Sequence, residues 1–561
     1  MDPRIARRVQ AWLEGPFDEK SKEEVRSLLK ISPDQIESAF FQDLSFGTGG
    51  IRGVMGVGTA RMNVYTVRLA TQGLARYLLK NAPDRLSVFL GYDVRHHSRE
   101  FAEEAASVLV ANGIEVYIVK EPCPTPLVSF GCRHFRCGAA IVITASHNPP
   151  EYNGYKVYWQ DGGQLVPPHD QGVIEEVHQT KVWKLGSLQS PLVHWVGKEI
   201  DLAYLSELSQ LCFTKNTSPL RILYSNLHGT GLRLVPAALK EWGFSSPTLV
   251  SPQTSLDGDF PNAPKPNPEE SAALRLGEEQ LLREEQDLFI ATDPDADRVG
   301  VVVRHQGKAV RLTGNQVAVL LLQHIATTLQ KKKQLPQGAA VVKSIVTTEL
   351  LCKIAKEFNL LCVDVLTGFK YIAEKILLWE QSGPPFLFGA EESCGYLFGT
   401  FVRDKDSMIA SCLVADLARE AKNEGVTLVD LLYRLYQRYG VYREMQRSLA
   451  FPNTPEGLSK LSLSMAMLRS SPPSHLGSSK IIAVTDYEVQ RQDLPKTDML
   501  RLLLEDNTSC IIRPSGTEPK VKIYGEASSL PSDAVEENIA ICDQRLTAAL
   551  DALEKILNSG K

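Results

Sequence analysis

Short apolar runs alternate along most of this chain with stretches of helical periodicity, which is the pattern of an α/β protein with largely parallel sheets. At residues 87–90 an apolar run leads through the polar turn GYDVRHHSRE into the amphipathic FAEEAASVLVANG and then into a second run, IEVYIV, predicting a βαβ unit. The same order recurs at 221–244 and at 339–361, so three related α/β units are expected. The last part differs. There the runs SKIIAVTD, RLLLED, SCIIRPSG and PKVKIYGEA come first and one long amphipathic stretch, AVEENIAICDQRLTAALDALEKIL, comes last. That order predicts an α+β domain.

Pro- and Ser-rich segments near 185–195 and 213–220, the RHQGK turn at 304–308 and the PNTPEG and SSPPSHLGSSK stretches between 451 and 480 mark boundaries. They divide the chain into expected domains at 1–200, 201–308, 309–450 and 451–561. A length of 561 residues suits that number. With 43% hydrophobic and 23% charged residues, the disordered and low-complexity classes are excluded. Sixty-one basic against 66 acidic side chains leave a net charge of -5, which gives no general attraction to nucleic acid or an anionic membrane. The ten cysteines are scattered without a CxxC pair and are expected to be unpaired and buried in a reducing compartment. No apolar run approaches the roughly 20 residues of a membrane span, and the first residues lack a signal-like apolar core, so a cytoplasmic location is expected.

Candidate chemistry lies in five loops. In IVITASHNPPEYNGYK a buried strand delivers Ser146 to a Pro-rich loop, where its hydroxyl can be a nucleophile or a phosphorylation acceptor with His147 and Lys156 beside it; a turn serine with an incidental histidine is the competing reading. In DLFIATDPDADRVGVVV the spacing of Asp293, Asp295 and Asp297 lets an extended segment project three carboxylates to one side. Three such charges call for a divalent cation; the alternative is a solvated hairpin tip. An EF-hand is excluded because Arg298 and Arg304 occupy the positions that need Gly and Glu, and Mg²⁺ suits the hard oxygen donors. RPSGTEPK offers Arg513, Ser515, Gly516 and Thr517 to an anion, and FGTGGIRGVMG places Arg52 among glycines without matching a nucleotide loop; a plain turn is the competing reading of each. In FGAEESCGYLFG, Glu391 and Ser393 alternate on an extended segment that can reach sugar hydroxyls; a solvated edge is the competing reading.

Taken in order, FGTGGIRG, TASHNPPEYNGYK, DGDFPNAPKPNPE, DPDADR, LTGFK, GAEESCGY and RPSGTEPK resemble the α-D-phosphohexomutase superfamily, and within it the phosphoglucomutase/phosphopentomutase branch. The resemblance implies four domains around a central cleft, the first three with a related mixed α/β core and the fourth α+β. It implies a phosphoserine at Ser146, and Mg²⁺ held by Ser146, Asp293, Asp295 and Asp297. His147 and Lys156 become acid/base candidates, with Arg52 and Arg298 beside the transferring phosphoryl group. Gly368, Lys370, Glu391 and Ser393 fall to the sugar, and Arg513, Ser515, Gly516, Thr517 and Lys520 to the phosphate that does not react. The implied activity interconverts glucose 1-phosphate and glucose 6-phosphate through a sugar 1,6-bisphosphate that also serves as activator, with (deoxy)ribose phosphates as further substrates. A phosphomannomutase, a sugar bisphosphate synthase and a non-catalytic sugar-phosphate sensor remain alternatives, the first because epimers at one carbon differ by a single hydroxyl contact; the absence from DPDADR of the glycines of many relatives, and Cys394 and Tyr396 where others differ, bear on the branch and the sugar.

Overall fold

The structure is a computed structural model that describes residues 2–44, 50–215, 219–452, 455–489, 494–514 and 520–559. It divides into two compact units, one of Met1–Thr313, Gly368–Gly389 and Ser393–Glu420, the other of Gly314–Thr367, Ala390–Glu392 and Ala421–Lys561.

The first unit holds two sheets. Strands Ile51–Val54 (β1), Ser87–Tyr92 (β2), Glu115–Val119 (β3), Ala139–Ile143 (β4), Tyr152–Trp159 (β5) and Val193–Val196 (β6) form a six-stranded sheet in the order β1-β5-β4-β2-β3-β6. Its centre is parallel: β2 pairs with β3 and β4, and both β2 and β4 are buried at every position, the near-continuous apolar run of a strand covered on both faces. β5 turns back antiparallel on β4, and β1 lies antiparallel on β5. The helix Val64–Asn81 starts at a capping box in which Asn63 and Thr66 satisfy each other's orphan donors. Three helices, Pro3–Glu14, Glu19–Ile31 and Pro33–Phe40, precede this sheet and pack around Trp12, whose ring stacks on Phe17 at 4.1 Å.

Strands Ile222–Ser225 (β7), Thr248–Leu249 (β8), Leu288–Thr292 (β9), Val299–His305 (β10) and Lys308–Leu312 (β11) form the second sheet, in the order β11-β10-β9-β7-β8. β7 runs parallel to β8 and β9, whereas β9, β10 and β11 are antiparallel neighbours. The RHQGK turn therefore closes the β10–β11 hairpin of this sheet.

In the second unit, Ala340–Ser344 (β12) and Leu361–Val365 (β13) pair in parallel across the helix Leu350–Glu357. Phe386–Glu391 (β14), which enters the second unit only at its last two residues, and Gly395–Phe398 (β15), which belongs to the first unit, follow in the chain. The last sheet, Tyr442–Ala450 (β16), His475–Leu476 (β17), Ser479–Asp486 (β18), Leu500–Leu504 (β19), Ser509–Pro514 (β20) and Lys520–Ser528 (β21), runs β16-β21-β20-β19-β18-β17 and is antiparallel throughout. Its buried face packs with Leu461, Met465, Leu468, Leu550 and Leu553 of the helices Pro455–Ser470 and Val535–Ser559. Three α/β segments and a different, α+β fourth follow the sequence expectation.

The cysteine expectation needs one correction. Cys352 and Cys362 form a disulfide with a Cα–Cα distance of 5.2 Å, because the helix-to-strand return from Leu350–Glu357 into β13 brings them together. The other eight are free, and burial pushes the Cys137 thiol up to about 12.

Where β16 and β21 pair, Glu444 stands opposite Glu526, and Glu526 Oε2 accepts the backbone N–H of Glu349 at 2.9 Å. Burial, then the neighbouring Glu444 carboxylate, pushes Glu526 up to about 8 from 4.5. Between those values the unfolded chain has released a proton that the folded chain retains, so stability falls as pH rises through that window. Glu526→Gln keeps the acceptor and removes the titration. It is expected to flatten the decline in melting temperature between about pH 5 and 8, read by circular dichroism; an unchanged pH profile would count against this account.

Candidate active site

The hairpin of β4 and β5 sets Ser146 at its tip, on a residue with a left-handed φ of 52°. The Ser146 N–H donates to Thr144 Oγ1 at 2.8 Å. Beneath the loop lies a buried arginine that the sequence reading passed over as part of a polar turn. Arg95 Nη2 donates to the Ser146 carbonyl at 2.6 Å and to that of Asn148, and Nη1 donates to the carbonyls of Pro149 at 2.8 Å and Tyr152 at 3.0 Å. Asp93, also buried, pairs with Arg95 at 3.3 Å and accepts the Ser98 hydroxyl at 2.6 Å. One charged pair thus replaces the hydrogen bonds that an irregular backbone would otherwise take from water.

Alongside, Arg52 on β1 faces Gly154 across the ladder and donates to Asn148 Oδ1 at 2.9 Å. Gly50, at φ 103°, permits this approach: a Cβ there would lie 2.3 Å from the Tyr155 carbonyl oxygen.

The acidic loop joins β9 to β10. Its carboxylates converge through a turn with Ala296 at a φ of 49°, where the sequence spacing suggested an extended segment. Asp293 Oδ1 caps that turn by accepting the N–H groups of Asp297 at 3.1 Å and Arg298 at 3.0 Å. Its Oδ2 accepts the Ser146 hydroxyl at 2.8 Å, so the serine and the aspartate loop meet. Asp295 Oδ2 accepts Thr125 Oγ1 at 2.8 Å and Lys156 Nζ at 3.0 Å, and Lys156 lies 3.7 Å from Asp297 Oδ2. Arg298 Nη1 donates to Glu269 at 3.3 Å.

The three aspartates are buried and offer oxygens that all lie within 4.8 Å of one another. Asp295 Oδ1 and Asp297 Oδ1 are buried without a hydrogen-bond partner. Orphaned acceptors in an all-oxygen cluster fit a hard divalent cation, with Asp293, Asp295 and Asp297 as the residues that would hold it. The electrostatics agree with that need. Burial, followed by the Asp295 and Asp297 charges, raises Asp293 well above the usual carboxylate range. Burial works the same way on Asp295, but the Lys156 ammonium and the hydrogen bonds it accepts outweigh it and leave this carboxyl below its ordinary value. His147, with Nδ1 3.2 Å from Ser146 Oγ, is depressed well below 6.5 by burial and then by Arg298 and Arg52, which keeps the ring neutral.

A second lysine completes the cluster, and the sequence reading missed it: Lys405 Nζ lies 3.2 Å from Asp297 Oδ2. The alternation of acids and bases in RDKDS, at 403–407, was the available signal. Lys370, expected at a sugar, is buried with Nζ 3.4 Å from Asp170 Oδ2 and 3.5 Å from the Leu165 carbonyl oxygen. Gly368 takes a φ of 118° at the start of the helix Phe369–Trp379.

In the second unit, Arg513 on β20 faces Lys522 on β21, Lys520 begins β21, and Ser515, Gly516 and Thr517 lie outside the described residues. Glu391, at the end of β14, is buried. Burial, followed by the Glu392 charge, raises the Tyr524 phenol, with Glu391 adding to the effect and Arg513 opposing it. Glu392, which sequence reasoning also overlooked, accepts the Ser344 hydroxyl at 2.9 Å. Ser393, of the first unit, sits in the turn after β14, where an extended position was expected.

Three family models match the chain, each described as phosphoglucomutase/phosphomannomutase alpha/beta/alpha: domain I over residues 43–182, domain II over 202–307 and domain III over 313–439. A phosphoglucomutase of Staphylococcus haemolyticus is 36% identical over 514 residues, covering 87% of this chain and 91% of the relative. One from Staphylococcus aureus is 35% identical over 521 residues, covering 89% and 92%. Among solved structures, a phosphoglucomutase/phosphomannomutase family protein from Burkholderia thailandensis superposes with a TM-score of 0.67 at 20% identity, covering 92% of this chain and 97% of the other.

The support of the serine loop yields a direct test. Arg95→Met strands Asp93 as a buried, unpaired charge and is expected to cost about 3–5 kcal/mol of stability, measured by urea unfolding. Adding Asp93→Asn should recover part of the loss; a single variant as stable as wild type would contradict the assigned role.

Proposed function

This chain belongs to the phosphoglucomutase/phosphomannomutase family of the α-D-phosphohexomutase superfamily and is a phosphosugar mutase, and we propose that it interconverts glucose 1-phosphate and glucose 6-phosphate through a phosphoserine at Ser146. The observation that carries this reading is the 2.8 Å contact of Ser146 Oγ with Asp293, beside Lys156 on Asp295. Phosphoryl transfer demands positioning and charge compensation more than covalent chemistry, and this cluster supplies both.

In the proposed cycle the bond from phosphorus to Ser146 Oγ breaks as one to the free hydroxyl of the sugar monophosphate forms, giving a sugar 1,6-bisphosphate. The hydroxyl proton passes to His147, whose neutral ring has a free lone pair and gives it back to the sugar oxygen released in the second transfer, while the Lys156 ammonium, paired with Asp295, serves as the hydrogen-bond donor beside it. The bisphosphate then returns its other phosphoryl group to Ser146. Bound at Asp293, Asp295 and Asp297 with a phosphoseryl oxygen, Mg²⁺ would neutralise charge on the transferring group. Arg52 and Arg298 add positive charge on the protein side. Gly368, Lys370, Glu391 and Ser393 are assigned to the sugar, Lys370 on the condition that it leaves Asp170. Arg513, Ser515, Gly516, Thr517 and Lys520 are assigned to the non-reacting phosphate, which spends remote binding energy on orientation. The expected domain division at 200, 308 and 450 is proposed with these roles in amended form, the second boundary placed after β11, which pairs with β10, and the third before β16, which pairs with β21. No helix among the described residues is long and apolar enough to cross a membrane, and a cytoplasmic location fits sugar-phosphate substrates.

A panel of hexose and pentose 1-phosphates, assayed with Mg²⁺ and a trace of bisphosphate, tests the activity: glucose 1-phosphate should turn over fastest. Stoichiometric consumption of a phosphoryl donor would instead indicate a bisphosphate synthase. Ser146→Ala is expected to abolish turnover while sugar-phosphate binding stays within about tenfold, the scale of one lost hydrogen bond; near-normal turnover would refute the phosphoserine. Arg513→Ala should weaken substrate affinity by about 1.5–3 kcal/mol, the value of a charged hydrogen bond, and an unchanged KM would contradict its assignment.

A further inference from the structure

Behind the acidic cluster stands a second, enclosed set of charges. Asp404 is 1% exposed. Its Oδ2 accepts the Tyr158 hydroxyl at 2.7 Å and Gln164 Nε2 at 3.2 Å, and its Oδ1 lies 3.1 Å from Lys405 Nζ and 2.8 Å from the Lys405 backbone nitrogen. Lys405 Nζ reaches on to Asp297 Oδ2 at 3.2 Å, the oxygen that lies 3.7 Å from Lys156. Tyr158 and Lys156 are two residues apart on β5 and so share one face of it. One strand therefore holds both the lysine of Asp295 and the clamp of Asp404.

The space for this arrangement is specific. A Cβ at Gly395 would lie 2.1 Å from Lys405 Cδ, so the stem of the lysine passes where only a glycine leaves room. The Phe369 ring stands 5.4 Å from its ammonium. A lysine buried this deeply needs a carboxylate partner. Asp297 and Asp404 both serve it, and of these two Asp297 belongs to the acidic triad and Asp404 does not.

We propose that Asp404 is a positioning residue that holds the Lys405 ammonium between itself and Asp297, making Lys405 a resident counter-ion that competes with a divalent cation for the triad. The inference rests on the reading of Asp293, Asp295 and Asp297 as a cation site. Without a divalent ion, Lys405 offsets part of the repulsion among three carboxylates. When Asp297 is drawn to an ion, Asp404 remains as the partner of Lys405, so no buried charge is stranded. The pair thereby sets how tightly the triad takes its ion.

Opposite signs in two variants test this. Titrating Mn²⁺ into the full-length protein by calorimetry, with circular dichroism to confirm folding, Lys405→Met should bind Mn²⁺ about tenfold more tightly, the scale of one unit charge against a divalent ion several ångströms away in a water-like dielectric. Asp404→Asn should bind it more weakly by a similar factor, because Lys405 is then left to Asp297. The double variant should return close to wild type, and Tyr158→Phe should shift in the direction of Asp404→Asn by less. A simple loss of packing would move both single variants in the same direction. Shifts of the same sign, or no shift in either variant while the wild type binds Mn²⁺, would overturn the proposal. A wild-type protein that binds no Mn²⁺ would overturn the cation reading and this inference with it, whereas Mn²⁺ binding with unaltered variants would overturn only the inference.

Discussion

Three carboxylates confined within 4.8 Å and buried cannot all remain charged without compensation, and this constraint organises the first unit. The structure compensates them in several ways at once. Asp293 is pushed toward its protonated form, Asp295 is paired with Lys156, and Asp297 is approached by Lys405. Two oxygens still lack a hydrogen-bond partner, Asp295 Oδ1 and Asp297 Oδ1, the second with Arg298 Nε at 3.9 Å. A site left short of positive charge in this way is suited to a reaction that brings a cation and a phosphoryl group together.

The compensating groups come from separate stretches of chain. Ser146 and Lys156 belong to the β4–β5 hairpin, the aspartates to the turn between β9 and β10, Thr125 to the start of the helix Thr125–His134, and Lys405 to the segment after β15. The cluster therefore exists only when both sheets of the first unit are assembled. Rigid support of the serine loop follows the same logic: Arg95 replaces water for four carbonyls and is itself neutralised by Asp93. Neither residue contacts the acidic turn through the bonds described, yet both fix where Ser146 presents its hydroxyl.

Much of this was legible in the sequence. The buried runs AAIVI and LFIAT fall on β4 and β9, and the prediction that Ser146 and the aspartates meet holds across a separation of 147 residues. The aspartate turn was misread because i, i+2, i+4 spacing also fits a tight turn, in which Asp293 captures the following N–H groups. Arg95, Asp404 and Lys405 were missed for a different reason. Their significance lies in burial and long-range partners, and a charged residue in a polar-looking segment is, on pattern alone, a surface residue. The Cys352–Cys362 bridge was hidden similarly, since a helix-to-strand return brings together cysteines that show no motif spacing.

The central claim is that the Ser146 oxygen is where the phosphoryl group resides. Incubation of the full-length protein with glucose 1,6-bisphosphate and Mg²⁺, followed by intact-mass measurement and phosphopeptide mapping, addresses it directly. One phosphate per chain, confined to the peptide carrying Ser146 and discharged by added sugar monophosphate, is the expected result. Phosphate on another residue, or a charged serine that sugar monophosphate does not discharge, would contradict it.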